Sequence, residues 1–441
     1  MLSRSLISKE ILRNSIPLII NILSYPLSAI FTLSILAKYF PEKCSLFIIA
    51  TAIINIVTKF YESLLSGTRV LAAIKINDDI NIRKAIFNNA IIISFSLSII
   101  LLSLVFVSYR TLVFFHFSDY YIELAKTVGC LAVGVPGSLL YSSCMLYLHA
   151  HKETRLLPIL SWLTNIISIV FLIMSCETPS MSSFYTILVG FSLIKILFGI
   201  LNFVMVPSYL KKRPNILFLK NFKFKNGMEL MKFGVSHAFC NLLFTGSYLI
   251  FSLLLKSTAE PSLHVFQMQI NLLNIMSVIN MAITSSGCVN YSYINNKQPQ
   301  LKKINFEQNL ILNLSALIIM LSIIFILRAS IVTGMGGIKN SIFLFDQTFY
   351  LFVAIYTADL VQTVLLQTMT YSKDYILPPI IKIICFCSIS IPLAAILTIV
   401  YKLGLIGILI SILSGSVCAT LFILFRFKSK NLFIYYSNTQ P

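Results

Sequence analysis

The chain has 441 residues, 57% hydrophobic and 11% charged, with a formal net charge of +19 and a mean hydropathy of +0.88. Soluble domains carry about 25% charged residues, so a water-soluble globule is excluded, and continuous apolar runs of about 20 residues exclude the short alternating segments of a β-barrel. The basic residues lie in short loops and are not interleaved with aromatics on one face, which excludes a nucleic-acid groove. Nine cysteines fall mostly inside apolar runs, with no CxxC pair and no metal-ligand spacing, so they read as small buried hydrophobes and no metal site is expected. The opening stretch MLSRSLISKEILRNS lacks the short apolar core and small-residue cleavage site of a signal peptide, and the first span is expected to direct insertion.

Twelve spans are expected, at 15–37, 45–66, 86–108, 120–148, 157–176, 183–208, 231–255, 263–288, 308–327, 347–369, 376–400 and 403–425. Twenty-three basic residues fall in one set of connecting segments and seven in the alternate set. The positive-inside rule then places both termini in the cytoplasm of a multi-pass protein of the cytoplasmic (inner) membrane. The longest connection on that side, YLKKRPNILFLKNFKFKNGMEL, is basic and divides the chain near its middle.

The two halves resemble each other. KEILRNSIPLIINI (9–22) matches MELMKFGVSHAFCN (228–241), NIVTKFYESLLSG (55–67) matches NIMSVINMAITSSG (274–287), and Pro158 and Pro378 repeat the same turn into a following span, all at a displacement near 220. A parallel repeat follows: an all-α polytopic membrane protein with twelve transmembrane helices in two six-helix lobes, related by a pseudo-two-fold axis along the membrane normal, with a cavity between them. The expected divisions are an amino-terminal lobe at 1–208, a basic cytoplasmic linker at 209–230, a carboxy-terminal lobe at 231–426 and a cytoplasmic tail at 427–441. Breakers sit where helices bend: Pro17 and Pro26 in the first span, Gly134, Pro136 and Gly137 in the fourth, Pro392 in the eleventh.

Two acids lie well inside spans, Glu62 and Asp359. Glu62 has Lys59 three residues earlier, which predicts an intramembrane ion pair on one helical face. Asp359 has no base within one helical turn; its helical neighbours are Tyr356, Gln362 and Thr363. A buried acid without a countercharge is expected to bind and release a proton, and hydrogen bonds from neighbouring helices are the plainer alternative. Lys382 is close enough to the end of its span to snorkel to the interface, whereas Lys195 lies deep without an account. His237, Asn241, Asn274 and Asn165 join Tyr356 and Gln362 as candidate cavity-lining groups, and Asn271 and Asn280 are further polar groups on spans. Signatures of hydrolases, zinc proteases and nucleotide-binding enzymes are absent, so an enzyme is not expected. Without a nucleotide site, active transport requires an ion gradient.

The stretch Asp359, Gln362, Asp374 and Pro378, with ISIPLAAIL around Pro392 and Asn165 in the fifth span, resembles the multidrug and toxic compound extrusion (MATE) family. That family sits within a larger superfamily that includes polysaccharide and lipid-linked oligosaccharide flippases. The resemblance spans nearly the whole chain. It implies a secondary antiporter that exports organic, amphipathic or cationic compounds in exchange for H⁺ or Na⁺, with Asp359 as the ion-coupling acid, no other cofactor, membrane lipid as surroundings and a single chain as the working unit. The chain departs from the family pattern at Thr32, at Phe244 and Thr245, and at Ile169, where acids are missing, and TYSK replaces the glycine-bearing turn before Asp374. A lone carboxyl favours H⁺ over Na⁺. The scarcity of acids also leaves a lipid-linked sugar flippase open, with Lys59 and Lys195 as candidate contacts for an anionic cargo, and a non-transporting scaffold or scramblase as a third reading.

Overall fold

Long apolar runs in a membrane leave the backbone one local way to satisfy its polar groups, the α-helix. The structure, a computed structural model, describes residues 2–75, 80–177, 184–209, 224–256, 260–294, 298–334 and 339–430. Most of the expected linker and tail, 210–223 and 431–441, lie outside these residues. The helices are α1 (Leu2–Tyr39), α2 (Pro41–Leu65), α3 (Gly67–Ile74), α4 (Ile80–Phe114), α5 (Asp119–Ala132), α6 (Val135–Ala150), α7 (Leu156–Glu177) and α8 (Phe184–Tyr209), followed by α9 (Phe224–Lys256), α10 (Glu260–Tyr293), α11 (Pro299–Gly334), α12 (Lys339–Tyr371), α13 (Leu377–Cys385), α14 (Ile391–Ala395) and α15 (Gly404–Ser429). No strand occurs among the described residues.

Ten helices of the described residues are long and apolar enough to cross a membrane, or eleven if α5 and α6 form one bent span. The first expected span, 15–37, lies within α1. The fourth expected span is the bent pair: α5 and α6 meet at a 40° bend, where Gly134 precedes the proline in the first turn of α6 and that proline has no N–H to continue the helix ladder. In the eleventh expected span, Pro392 sits in the short α14 between two π-helical turns, Phe386–Ser390 and Ile396–Val400. The wider turns accommodate the backbone group that proline leaves unbonded.

The chain forms two compact units, Pro17–Ala238 and Met1–Ile16 with Phe239–Pro441. In the first unit, α6 crosses α8 at a point where Gly137 and Gly199 lie back to back, each without room for a Cβ. Ser94 of α4 bonds Ser143 of α6 at 2.6 Å, tying a third helix to this crossing. At the start of α9, Gly234 lies against the Leu64 carbonyl of α2.

The second unit is held by aromatic packing of Phe251, Phe266, Phe345, Phe352 and Tyr356 and by a buried amide ladder between α10 and α11. Asn290 donates to Asn305 Oδ1 at 3.1 Å, Asn305 to the Gly287 carbonyl at 2.9 Å, Asn309 to the Thr284 carbonyl at 3.3 Å and Asn313 to Asn309 Oδ1 at 3.0 Å. The first turns of α1 belong here because Arg4 pairs with Glu307 at 3.3 Å and Ser8 donates to Gln308 at 2.7 Å, both on α11.

The repeat is visible in the backbone. After α6, the Lys152 N–H donates to His149 and the Glu153 N–H to Leu148, both at 3.0 Å, with Lys152 at φ +61°. After α12, the Lys373 N–H donates to Thr370 at 3.0 Å and the Asp374 N–H to Met369 at 2.9 Å, with Lys373 at φ +69°. The two helix ends close in the same left-handed capping turn, displaced by 221 residues, although HAHKE and TMTYSKD share little.

Candidate functional site

The acid expected to stand alone does not. Lys382 Nζ donates to Asp359 Oδ1 at 2.9 Å, and the side chains are 11% and 16% exposed respectively. Asp359 sits midway along α12 and Lys382 on α13, so the turn of residues 372–376 brings opposite charges in consecutive helices into contact. This corrects two expectations at once: Asp359 has a countercharge, and Lys382 does not snorkel to the interface. The physical reason is the same for both. Lys382 is 9% exposed, and a buried carboxylate attracts a flexible ammonium more strongly than the headgroup region rewards it.

Other polar groups surround the pair. Cys240 and Tyr248 of α9 lie within electrostatic range of it. Tyr356, one turn before Asp359, is buried in the aromatic core and accepts a hydrogen bond from Asn280 of α10. Gln362, one turn after Asp359, is fully buried, and neither its amide oxygen nor its nitrogen has a partner; the Asn280 side-chain oxygen is likewise unpartnered. Tyr356 and Gln362 therefore stand in the packed interior of this unit. Asn241 and Asn274 are exposed.

The other buried acid also departs from expectation. Lys59 is exposed, and among the described residues no ion pair joins it to Glu62. The Glu62 carboxylate instead accepts from Ser142 Oγ of α6 at 2.9 Å. Lys59 and Glu62, three positions apart, share one side of α2, but Glu62 turns inward to α6 while the exposed lysine points away. Nearby in this unit, Tyr141 donates to Asn21 at 2.6 Å and Asn165 donates to Ser24 at 3.0 Å, so Asn165 ties α7 to α1. His237 is half-buried at the end of the same unit. The Lys195 ammonium lies 4.7 Å from the centre of the Phe191 ring on its own helix, a cation–π contact. Among the described residues no cluster of three or more His, Cys, Asp or Glu side chains is suited to hold a metal ion.

The helix order, the bent span and the two units can now be set against known structures. The chain superimposes on the eukaryotic MATE transporter AtDTX14 with a TM-score of 0.82 at 14% identity, covering 98% of this chain and 97% of that one. Its fold is that of the MATE transporters. A MOP superfamily transporter from Pyrococcus furiosus Vc1 matches with a TM-score of 0.82 at 13% identity, with 96% of each chain covered. The outward-facing conformation of a multidrug resistance MATE family transporter matches with a TM-score of 0.79, also at 13% identity and 96% of each chain. No family model matches the chain, and no curated protein does. The structural neighbours are transporters, and the chain is a multi-pass membrane protein with their fold.

Sequence reasoning placed Lys382 at the interface and missed its pairing with Asp359. A search one turn either side of Asp359 finds no base because the partner is 23 residues away. The usable signal was a second charge of opposite sign, inside the next apolar run, across a tight turn.

Proposed function

We propose that this protein is a secondary active transporter that exports organic, amphipathic or cationic compounds in exchange for protons by alternating access, with Asp359 as the coupling acid and Lys382 as its internal countercharge. The observation that carries the reading is the buried Asp359–Lys382 pair in a chain with the MATE transporter fold. A carboxylate in an apolar interior needs neutralising, either by a cation or by a proton. Lys382 and a proton compete for it, so a movement that separates α12 from α13 would favour proton uptake, and re-formation of the pair would favour release. That exclusivity is what an exchanger requires: a site whose charge state depends on its conformation. The loop-charge bias supports an inner-membrane orientation with both termini cytoplasmic.

The test uses everted membrane vesicles and a panel of fluorescent organic cations. Substrate-triggered proton flux in wild type and its loss in Asp359→Asn, with both proteins present at equal level in the membrane, is the expected result. Equal flux in both would overturn the assignment of the coupling acid.

One observation favours a lipid-linked oligosaccharide flippase as a second reading. Lys195 lies beside the break between α5 and α6, where its stem would contact a methyl added at Gly134, and it has no acid partner among the described residues. The Pyrococcus transporter is described as having a binding pocket of reverse polarity that suggests a different function. Flux of an anionic lipid-linked cargo, with none of organic cations, would select this reading.

A further inference from the structure

The surroundings of the Asp359–Lys382 pair hold more oxygen than the pair uses. Gln362 Oε1 and Asn280 Oδ1 are buried and accept no hydrogen bond. Gln362 follows Asp359 by three positions on α12 and so shares its side of the helix. Asn280 of α10 donates to the Tyr356 hydroxyl, and Tyr356, three positions before Asp359, lies within electrostatic range of that acid. Buried amide oxygens without donors are unusual in packed interiors and call for an explanation. A carboxylate flanked by neutral amide and phenol oxygens is the donor set that hard, small cations take. Here the positive charge comes from the chain itself. Lys382 is the one cation in contact with Asp359 among the described residues, and the other titratable groups near the pair, Tyr356, Tyr248 and Cys240, carry no positive charge.

We propose that the Lys382 ammonium is a tethered cation: it occupies the place at Asp359 that a monovalent metal ion would otherwise take, and it makes this unit indifferent to Na⁺. The inference rests on the reading of Asp359 as the coupling acid, and it adds the residue that sets ion specificity. An ammonium fixed to α13 cannot leave the protein. It moves only as far as its stem and helix allow, so it neutralises the acid in one arrangement without being consumed from solution. A proton, which needs no coordination shell, competes with it directly; Na⁺ must displace it and assemble several oxygens as well.

The experiment reads ion binding, not transport. Full-length protein is purified in detergent, and its thermal unfolding is followed in NaCl against choline chloride at equal ionic strength. Wild type is expected to unfold at the same temperature in both. Lys382→Met, which keeps most of the stem volume, is expected to gain a Na⁺-dependent rise of a few degrees that saturates with concentration. Asp359→Asn with Lys382→Met is expected to lose the rise, and Lys195→Met is expected to behave as wild type. Saturable stabilisation of the wild type by Na⁺ would overturn the proposal, because Lys382 would not be excluding the ion. No Na⁺ response in Lys382→Met would overturn it too, because no cation place would lie beneath the lysine. If Lys382→Met does not accumulate, Lys382→Gln supplies the same comparison. A transporter reading that failed in vesicles would leave this result intact, and a failed ion result would leave proton-linked export standing.

Discussion

Replacing Lys382 with methionine leaves Asp359 as a buried carboxylate with no cation, and replacing Asp359 with asparagine leaves a buried ammonium. The pair belongs to the buried class, with side chains 11% and 16% exposed and a separation of 2.9 Å. Exposed pairs are worth about 0.2–1 kcal/mol, whereas removing one partner of a buried pair costs about 3–5 kcal/mol because the other charge is stranded. The double replacement removes both charges and is expected to cost less than either single one, since neutral groups of similar volume satisfy an apolar site at least as well. The four proteins form a double-mutant cycle, read by reversible unfolding in mixed micelles. The interaction term is expected to exceed about 2 kcal/mol, at the upper end of measured couplings. Singles that each cost under about 1 kcal/mol and add in the double would refute the reasoning, because they would place the pair in the solvated class.

Further outcomes follow from the packing. Gly137→Ala puts a methyl into the Lys195 carbonyl at the crossing of α6 and α8; because backbone cannot move aside as a side chain can, a loss of about 1–3 kcal/mol is expected in thermal unfolding. Gly246→Ala, inside α9 where a Cβ meets open space, is the matched control and is expected to hold or slightly raise the unfolding temperature, since alanine favours a helix over glycine by about 0.5–1 kcal/mol. Asn309→Leu removes a donor to the Thr284 carbonyl and an acceptor for Asn313 in a buried ladder, and is expected to cost about 1–3 kcal/mol for each group left unpaired. Lys373→Gly relieves a left-handed residue at φ +69°, so a stabilisation of about 1 kcal/mol is expected by the same measurement.

Fold and site were legible to different degrees, for a physical reason. A span is a property of consecutive residues, and so are a proline break and a capping turn; Gly134 and Pro136 announce the bend in the fourth span without reference to anything distant. The repeat is also carried along the chain, as matching segments at a fixed displacement, and the turns at Lys152 and Lys373 repeat it at the level of single hydrogen bonds. Charge pairing is different. The reading of Glu62 with Lys59 and of Asp359 alone both assumed that a buried acid finds its partner on its own helix. In the structure each acid is met by a neighbouring helix, Ser142 for Glu62 and Lys382 for Asp359. Helix-face arithmetic states which residues share a side, but not which neighbour packs there. The amide ladder from Asn290 to Asn313 was hidden for the same reason, since its members lie on two helices and each asparagine alone looks like an isolated polar intrusion.

The two π-helical turns around Pro392 have a consequence for how that span tolerates change. A single extra residue in a helical turn rotates everything beyond it by about 100°. Lys382 lies ahead of the first wide turn, and Thr398 lies within the second. A wide turn takes up its extra residue without carrying that rotation past it. Deleting one residue from Phe386–Ser390 is therefore expected to close the turn to ordinary α-helix, with the contact of Ser390 on Gly415 the one most affected. Length changes in this span are expected to be absorbed at the two wide turns and to re-aim the helix elsewhere.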